Sequence, residues 1–319
     1  MTGLAIAAIC AALMGFAIQR GGTCLVAALD ELVSKRSANR LLALGEASLL
    51  VAAGMVVAQL LGVLPMAPRA FEPTGWTIVG GMVMGLGAYV AGACVFGAIA
   101  RIGNGEPAYF LVPIGFFLGC VAALKLGMTR LPHVSATTHS LVLSQALIFT
   151  GPLLLVAAWR LWHTIRAARG GSFAAYVWSP HVATGVIGVT FVILLLLVGP
   201  WNYTDYLAEL ARDMVRGGPA RGLLLAALFV GALIGGWTAS RIRLTAPTVS
   251  SLSRCLVGGI MLGFGGSLVP GANDGLLLLG LPLLYPHAWL AFGSMFLTIV
   301  AALFLQERRT AVARGARLA

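Results

Sequence analysis

The chain has 319 residues, of which 59% are hydrophobic and only 10% charged, and its mean hydropathy is +0.95. Soluble globular domains carry about 25% charged residues, and apolar stretches long enough to cross a bilayer recur from end to end of this chain. A soluble domain is therefore excluded. The alternating short strands of a membrane β-barrel are not found in the sequence. We predict an all-α polytopic protein embedded in the lipid bilayer.

The net charge of +11 does not indicate a nucleic-acid partner. The basic residues lie in short loops and at the C-terminus, where membrane topology explains them. The five cysteines have neither CxxC nor Cys/His metal spacing and lie in apolar surroundings. Each is predicted to be a buried small side chain or a functional thiol. No metal site, cofactor motif or catalytic residue is predicted, and no enzymatic activity is expected.

About nine membrane spans are predicted in chain order, and four further apolar pieces are too short to cross. The spans are 2–19, 41–63, 76–92, 106–127, 140–163, 181–199, 219–240, 253–270 and 284–305, and the short pieces are 21–33, 93–103, 242–252 and 271–281. Because unpaired backbone groups cannot face lipid, the short pieces are predicted to be re-entrant half-helices buried in protein or lining a wet cavity. The outer loop 200–218 is predicted to be a solvated interfacial helix.

Lys and Arg placement orients the chain. With the N-terminus outside, the basic tail after residue 307 and most loop cations lie on the cytoplasmic side, while Arg69, Arg130 and Arg212 lie outside. The bias predicts N-out and C-in, which agrees with an odd number of spans.

Two glycine-rich segments indicate an internal repeat. "GGMVMGLGAYVAGACVFG" (80–97) aligns without a gap to "GGIMLGFGGSLVPGANDG" (258–275), matching five glycines at an offset of 178. Five predicted spans separate the two starting points, so the copies run in opposite directions, as in transporters with broken helices. The alternative is that close helix packing alone selects glycine in both. The predicted division is 1–139, a connecting region 140–218, and 219–319 with its basic tail, all in one integral membrane domain.

Each copy contains a break suited to starting a short helix. Gly92 and Ala93 precede Cys94, and Pro270 and Gly271 precede Ala272. The unpaired N–H groups at a helix start carry partial positive charge and can hold an anion. Small residues let a ligand approach the backbone closely, so both breaks are predicted to bind substrate.

These segments carry a family resemblance. "GLGAYVAGACVFGAIARIGNG" (85–105) and "RCLVGGIMLGFGGSLVPGANDG" (254–275) resemble the YeeE/YedE-type sulfur-transport family of bacterial thiosulfate permeases. "GFAIQRGGTCLVAALDEL" (15–32) is similar to the first cysteine segment of that family. The resemblance implies an inner-membrane (cytoplasmic membrane) protein with inverted halves and a narrow line of cysteines.

By this resemblance, Cys24 and Cys94 are implied to contact substrate through weak S–H hydrogen bonds. The third family cysteine is expected at position 272, where this chain has Ala272 in "PGANDG". Asn273 is predicted to supply an amide donor in its place. Cys10, Cys120 and Cys255 lie in ordinary spans and are predicted to be buried small side chains.

Two charged residues have alternative interpretations. Asp274 either caps the start of the second half-helix or titrates and couples transport to a proton or cation. Arg20 either attracts anions at the cytoplasmic mouth or is a topology arginine at a helix end. Glu46, near the start of the second span, is expected to reach water or pair with an arginine.

The predicted function is uptake of a small sulfur-containing anion, with thiosulfate ranked first. One alternative is a carrier of sulfite or another sulfur species, or a proton- or cation-coupled carrier using Asp274. Another is a non-transporting membrane partner or sensor for a cytoplasmic sulfur-carrier protein.

Overall fold

The computed structural model describes residues 2–64, 70–128, 146–167, 178–212, 219–269 and 271–315. The regular elements in these ranges are all helical. They are α1 Thr2–Gly21, α2 Leu25–Lys35, α3 Asn39–Leu60, α4 Gly75–Ala91, α5 Val95–Gly103, a 3-10 turn Pro107–Phe110, α6 Leu111–Lys125, α7 Ala146–Ala167, α8 Pro180–Val198, α9 Tyr203–Ala211, α10 Pro219–Thr238, α11 Val249–Leu268, α12 Ala272–Gly275, a π-helix Leu276–Gly280, and α13 Pro286–Gly315.

Eight helical stretches within the described residues are long and apolar enough to cross a membrane. They correspond to the predicted spans except 140–163, and two of them, Thr2–Lys35 and Gly75–Gly103, combine a long helix with the short helix that follows. Residues 140–145 of the remaining span lie outside the described residues, and α7 covers the rest of it. A helical, multi-pass membrane protein is confirmed.

Short helices occupy three of the four predicted short pieces. The breaks before them contain glycines with left-handed backbone angles: Gly22 at φ +56°, Gly92 at φ +71° and Gly271 at φ +88°. The prediction of a fourth fragment at 242–252 is wrong. Residues 241–248 are not helical, and α11 begins at Val249, where Thr248 and Ser251 form a capping box that sets the start of this long helix.

Glycines place α4 directly against α11. A Cβ added to Gly80 would lie 2.9 Å from the Gly265 carbonyl oxygen, and one added to Gly87 would lie 2.8 Å from that of Gly258. The backbones therefore approach too closely for a larger residue. The order of these contacts makes the two helices antiparallel.

Four other helix pairs run parallel: α1 with α10, α3 with α8, α4 with α13, and α6 with α11. In each pair, successive contacts have residue numbers that rise on both helices, which shows that the helices run in the same direction. These contacts are Gly231 with Ala12 and Gly235 with Phe16, Gly188 with Leu50 and Gly54 with Val192, Gly81 with Ala291 and Gly85 with Met295, and Gly259 with Val112 and Gly263 with Phe116.

Helix α7 is anchored to the bundle through Glu46 of α3. Arg160 lies 2.7 Å from Glu46 Oε1, and His181 Nδ1 lies 2.9 Å from Glu46 Oε2. The expected arginine pairing of Glu46 is confirmed. The carboxylate is mostly buried and gains two cationic or hydrogen-bonding partners, which offsets its desolvation.

A helix forms within 200–218 as predicted, but its start is buried and not solvated, while Leu210 near its end is 44% exposed. Its segment from Trp201 to Thr204 is at most 4% exposed, and Leu207 is 7% exposed. Asn202 caps α9 by accepting a hydrogen bond from Asp205 N at 2.9 Å. The segment has both apolar and polar residues because the apolar face of α9 and its cap Asn202 pack inside the bundle. Glu209 of the same helix pairs with Arg221 at 2.7 Å. Residues 213–218 lie outside the described residues.

Candidate functional site

The first two breaks bring Cys24 and Cys94 together across 70 residues of sequence. Cys24 is the N-cap of α2 and Cys94 the N-cap of α5. Leu25 N donates to Cys94 Sγ at 3.1 Å, and the two thiols interact directly. Cys24 is 8% exposed and Cys94 1% exposed. Two soft sulfur atoms thus meet at the positive ends of two short helices.

Glycine at position 97 is required for this approach. Any side chain there would collide with Cys24 Sγ. The preceding break is held by other residues: Tyr109 Oη donates to Ala91 O at 3.2 Å, and Arg254 Nε donates to Val90 O at 3.2 Å. These bonds satisfy carbonyls that the end of α4 leaves unpaired. The end of α4, just before Gly92, Ala93 and Cys94, is therefore tied to α11 and to the 3-10 turn.

Little free space lies beside Cys24. A cavity of about 10 Å³ is lined by Gly22, Thr23, Cys24 and residues of α3 and α8. The Thr23 hydroxyl is buried without a hydrogen-bond partner among the described residues. Because a water needs roughly 10–15 Å³ of such space, the cavity suits one water at most, and this side of the thiol pair is closed.

The second break leads into α12 and the π-helix. Gly271 has φ +88° and Ala272 φ +40°, and Ala272, Asn273 and Asp274 are 3%, 4% and 1% exposed. Pro270 lies outside the described residues. Asn273 lies at the start of α12 between Ala272 and Asp274, and its role as an amide donor stays a prediction.

Asp274 joins this break to α9. Its carboxylate accepts hydrogen bonds from Thr204 Oγ1, from Thr204 N at 3.4 Å and from Gly275 N at 3.1 Å. Asp274 lies between the candidate spans Val249–Leu268 and Pro286–Thr310. Burial, with the neighbouring Asp205 charge, raises the pKa of Asp274 to about 7. The side chain therefore helps to cap α9 and also titrates near neutral pH.

A cavity of about 290 Å³ adjoins the second break. Its polar lining comes from α9, α11 and the start of α13. The lining includes Asp205, Glu209, Arg212, Ser267, Tyr285 and His287, together with Gly271, Ala272 and Gly275 of the break. Tyr203 connects this region to the thiol pair, because its hydroxyl donates to Val95 O at 3.1 Å.

Arg20 does not line either of the two cavities described above. It is 6% exposed, and its guanidinium donates to Thr238 Oγ1 at 2.7 Å and lies 4.9 Å from the Phe16 ring centre. It joins α1 to α10. The remaining cysteines, Cys10, Cys120 and Cys255, are buried free thiols within spans.

Four polar residues near the second break escaped the sequence reasoning as site residues: Asn202, Thr204, Arg212 and His287. A signal existed for Asn202, which stands 178 positions after Cys24, the offset of the glycine-rich repeat. Arg212 and His287 had no motif, since their positions depend on how α9 and α13 pack. Within the described ranges, no group of three His, Cys, Asp or Glu side chains could hold a metal ion.

Comparison with known proteins gives the family of this chain. The chain is similar to the thiosulfate transporter TsuA of Escherichia coli, with 24% identity over 362 aligned positions that cover 98% of this chain and 96% of the relative. It is also similar to TsuA of Spirochaeta thermophila, with 25% identity over 311 positions covering 88% of this chain and 92% of the relative. The resemblance found in the glycine-rich segments is confirmed, since the profile of the family described as "Sulphur transport" matches residues 20–301. The chain belongs to the sulphur transport family.

Proposed function

We propose that this protein is an inner-membrane permease that takes up a small sulfur-containing anion, thiosulfate first in rank, into the cytoplasm. The meeting of Cys24 and Cys94 at the starts of α2 and α5 carries the proposal. The names of the two similar transporters add support. No covalent step is required.

The thiol pair suits the passage of a soft anion. A thiol is a weak donor and a polarisable contact, so it replaces part of the hydration of the anion without holding it tightly. The adjacent N–H groups of two helix starts add a positive field without a fixed cation. A site of this kind favours release as well as binding, which transport needs.

An inverted repeat covering most of the chain supports a transporter. The offset of 178 separates Thr2 from Pro180 at the starts of α1 and α8, and Leu25 from Tyr203 at the starts of α2 and α9. Within the glycine-rich pair, Gly80 meets Gly265 and Gly87 meets Gly258. The offset of 178 relates Gly80 to Gly258 and Gly87 to Gly265. Exchanging the two copies therefore turns one of these contacts into the other, as a two-fold axis between the copies requires.

The proposed halves are therefore longer than the glycine-rich segments alone indicate. The first is 2–125 and the second 180–303, with α7 in the connection between them. This division assigns α8 and α9 to the second half instead of to the connecting region 140–218. It also makes Asn202 the counterpart of Cys24, and Ala272 the counterpart of Cys94.

Helix directions support nine crossings. Helices α3 and α8 are parallel, and α4 and α6 lie between them in the chain. If only α4 and α6 crossed the membrane between α3 and α8, then α8 would run antiparallel to α3. The observed parallel direction therefore requires that α7 also crosses. With α7 included, α1 and α13 both run inward, which agrees with N-out and C-in as the Lys and Arg bias indicates.

The second half offers different chemistry at the equivalent place. Ala272 replaces the expected thiol, while the Asn273 amide and the Asp274 carboxyl stand beside it, both at most 4% exposed. Proton coupling through Asp274 is the second candidate function, favoured by the burial of this carboxyl against α9. Asp205 and Tyr203 of α9 are the titratable groups that face it.

Growth on single sulfur sources tests the proposal. The protein is expressed in bacteria that lack sulfate and thiosulfate uptake, and growth on thiosulfate, sulfite or sulfate is compared with an empty vector. Growth on thiosulfate is expected. If no sulfur source restores growth while the protein is present in the membrane, the permease assignment is wrong. A role as partner or sensor of a cytoplasmic sulfur-carrier protein would then be the better explanation.

A further inference from the structure

The small cavity beside Cys24 is a crevice at the end of the molecule where α3 and α8 begin. It holds only about 10 Å³ and is lined by the turn between α1 and α2, by Arg40 and Leu44 of α3, and by Pro180 and Thr184 of α8. Because α3 and α8 are candidate spans, their first residues lie near one membrane surface. In the proposed topology that surface is the cytoplasmic one, so the crevice marks the inner end of the path.

The Thr23 hydroxyl is a polar group in this crevice that lacks a ligand. Thr23 is 6% exposed and lines the crevice, and its Oγ1 has no hydrogen-bond partner among the described residues. A buried hydroxyl that has lost water and gained no partner is costly. Thr23 directly precedes Cys24, so this hydroxyl can donate to an anion that leaves the thiol pair.

Arg40 brings a positive charge to the lining of the crevice. Its Nε lies 3.0 Å from Glu31 Oε2, and the other oxygen of Glu31 accepts from Ser37 Oγ at 2.8 Å. Glu31 belongs to α2 and Arg40 to α3, so the ion pair ties these two helices together. The carboxylate thus occupies the cation that an anion leaving through the crevice would meet.

This ion pair is suited to exchange its partners. The side chains of Arg40 and Glu31 are 41% and 17% exposed, and pairs at partly exposed positions contribute little to the stability of a fold. A divalent anion carries more charge than a carboxylate and attracts the guanidinium more strongly at the same distance. Replacing Glu31 by the anion as the partner of Arg40 is therefore inexpensive.

Helix α2 is bounded by turns that allow it to move as a unit. It has 11 residues, and left-handed residues lie at both of its ends, Gly22 at φ +56° and Arg36 at φ +52°. Short turns of this kind absorb the backbone changes of hinge motions. Since Cys24 is the first cap of α2, a displacement of this helix from α3 changes the space beside the thiol.

We propose that Glu31 and Arg40 form an inner gate of the transport path, in which their ion pair holds α2 against α3 and keeps the crevice beside Cys24 closed. The role of the gate rests on the proposed uptake function. The gate opens when Arg40 exchanges Glu31 for the departing anion, and the Thr23 hydroxyl donates to that anion on the way. The guanidinium returns to Glu31 once the anion has left, so the anion is not retained.

The accessibility of Cys24 to a thiol reagent tests the gate without measuring uptake. The full-length protein in nanodiscs is treated with N-ethylmaleimide, which is small and neutral, and peptide mass spectrometry gives the rate of alkylation at Cys24. Glu31→Gln and Arg40→Gln are each expected to raise this rate about threefold to tenfold. The two variants change the local charge in opposite directions, so a rise in both reports opening and not electrostatics.

Two further variants provide the controls. Glu106→Gln breaks the ion pair with Arg101, which has the same 3.0 Å separation, and should leave alkylation of Cys24 unchanged. The double variant Glu31→Arg with Arg40→Glu restores an ion pair and should return the rate to that of the wild type. In proteoliposomes, Arg40→Gln should lower the maximal rate of thiosulfate uptake about tenfold, and Arg40→Lys should retain more of it.

Melting temperatures are checked for every variant. Unchanged alkylation of Cys24 in folded Glu31→Gln and Arg40→Gln would overturn the gate, and so would an equal rise in Glu106→Gln or a rate that stays raised in the reversed pair. If alkylation changes as expected while the wild type takes up no sulfur anion in cells, the permease assignment is wrong and the ion pair still closes the crevice beside Cys24.

Discussion

Replacing Cys94 with alanine tests the thiol pair most directly. The substitution removes the Sγ that accepts from Leu25 N at 3.1 Å and that interacts with Cys24. In the proposed site the thiol also donates a hydrogen bond to the anion, and a hydrogen bond to a charged group in a buried site contributes about 1.5–3 kcal/mol. Since about 1.4 kcal/mol corresponds to a factor of ten, thiosulfate uptake should fall by roughly 10- to 100-fold.

The assay is initial uptake of radiolabelled thiosulfate into proteoliposomes containing matched amounts of folded protein. Cys255→Ala is the control, because Cys255 is also buried, at 2% exposure, but lies in the first half of the long helix α11 and does not begin a short helix. Cys94→Ser separates the two roles of the sulfur. Its hydroxyl still accepts from Leu25 N and preserves the helix start, while the polarisable thiol is lost, so uptake should fall with little change in melting temperature.

Equal uptake by Cys94→Ala and Cys255→Ala would refute the reasoning. Cys94 would then be a small buried side chain that fills space at the start of α5, and transport would depend on the helix starts alone. Reduced uptake in both variants, with lowered melting temperatures in both, would also reject a specific role for the thiol pair.

Three further predictions concern coupling, packing and the cap of α9. The pKa of Asp274 is about 7, so its carboxyl is protonated below that pH and ionised above it. If Asp274 couples transport to protons, uptake should rise as the external pH falls through 7, and Asp274→Asn should give a pH profile without this slope. The same slope in the wild type and in the variant would exclude coupling at Asp274. Gly87→Ala places a methyl 2.8 Å from Gly258 O and should destabilise the protein by about 1–3 kcal/mol in thermal melts, while Gly45→Ala, with nothing within 4 Å, should not. Asn202→Ala should cost about 1 kcal/mol of stability and weaken the contact of Thr204 with Asp274, measured as a shifted pH profile of uptake; an unchanged melting temperature and profile would remove Asn202 from the site.

The unequal free space beside the two breaks bears on the transport cycle. About 290 Å³ lies beside the second break and about 10 Å³ beside Cys24. In the proposed topology with the N-terminus outside, α9 and the larger space lie on the outer side. The space beside the second break can hold an anion and the space beside Cys24 cannot, so the proposed passage needs movement around Cys24.

Much of the protein was readable from the sequence. Hydropathy alone placed the long helices, because a span must satisfy its own backbone and be apolar throughout. The glycine pattern around Gly80 and Gly258 located both breaks, because close backbone approach excludes other residues. Cys24 and Cys94 were selected by the family pattern and not by spacing, since 69 residues separate them and no local rule brings them together.

Only the tertiary structure decided what surrounds each break. The mixed composition of residues 200–212 predicts a solvated segment, yet packing buries the start of α9 and brings Thr204 to Asp274. Arg212 and His287 are 75 positions apart and share a cavity only because α9 and α13 meet at the second break. Local sequence determines which helices form and where they stop, through backbone satisfaction and capping. Contacts between elements distant in the chain determine which polar groups share a site, because those contacts depend on the packing of all the helices at once.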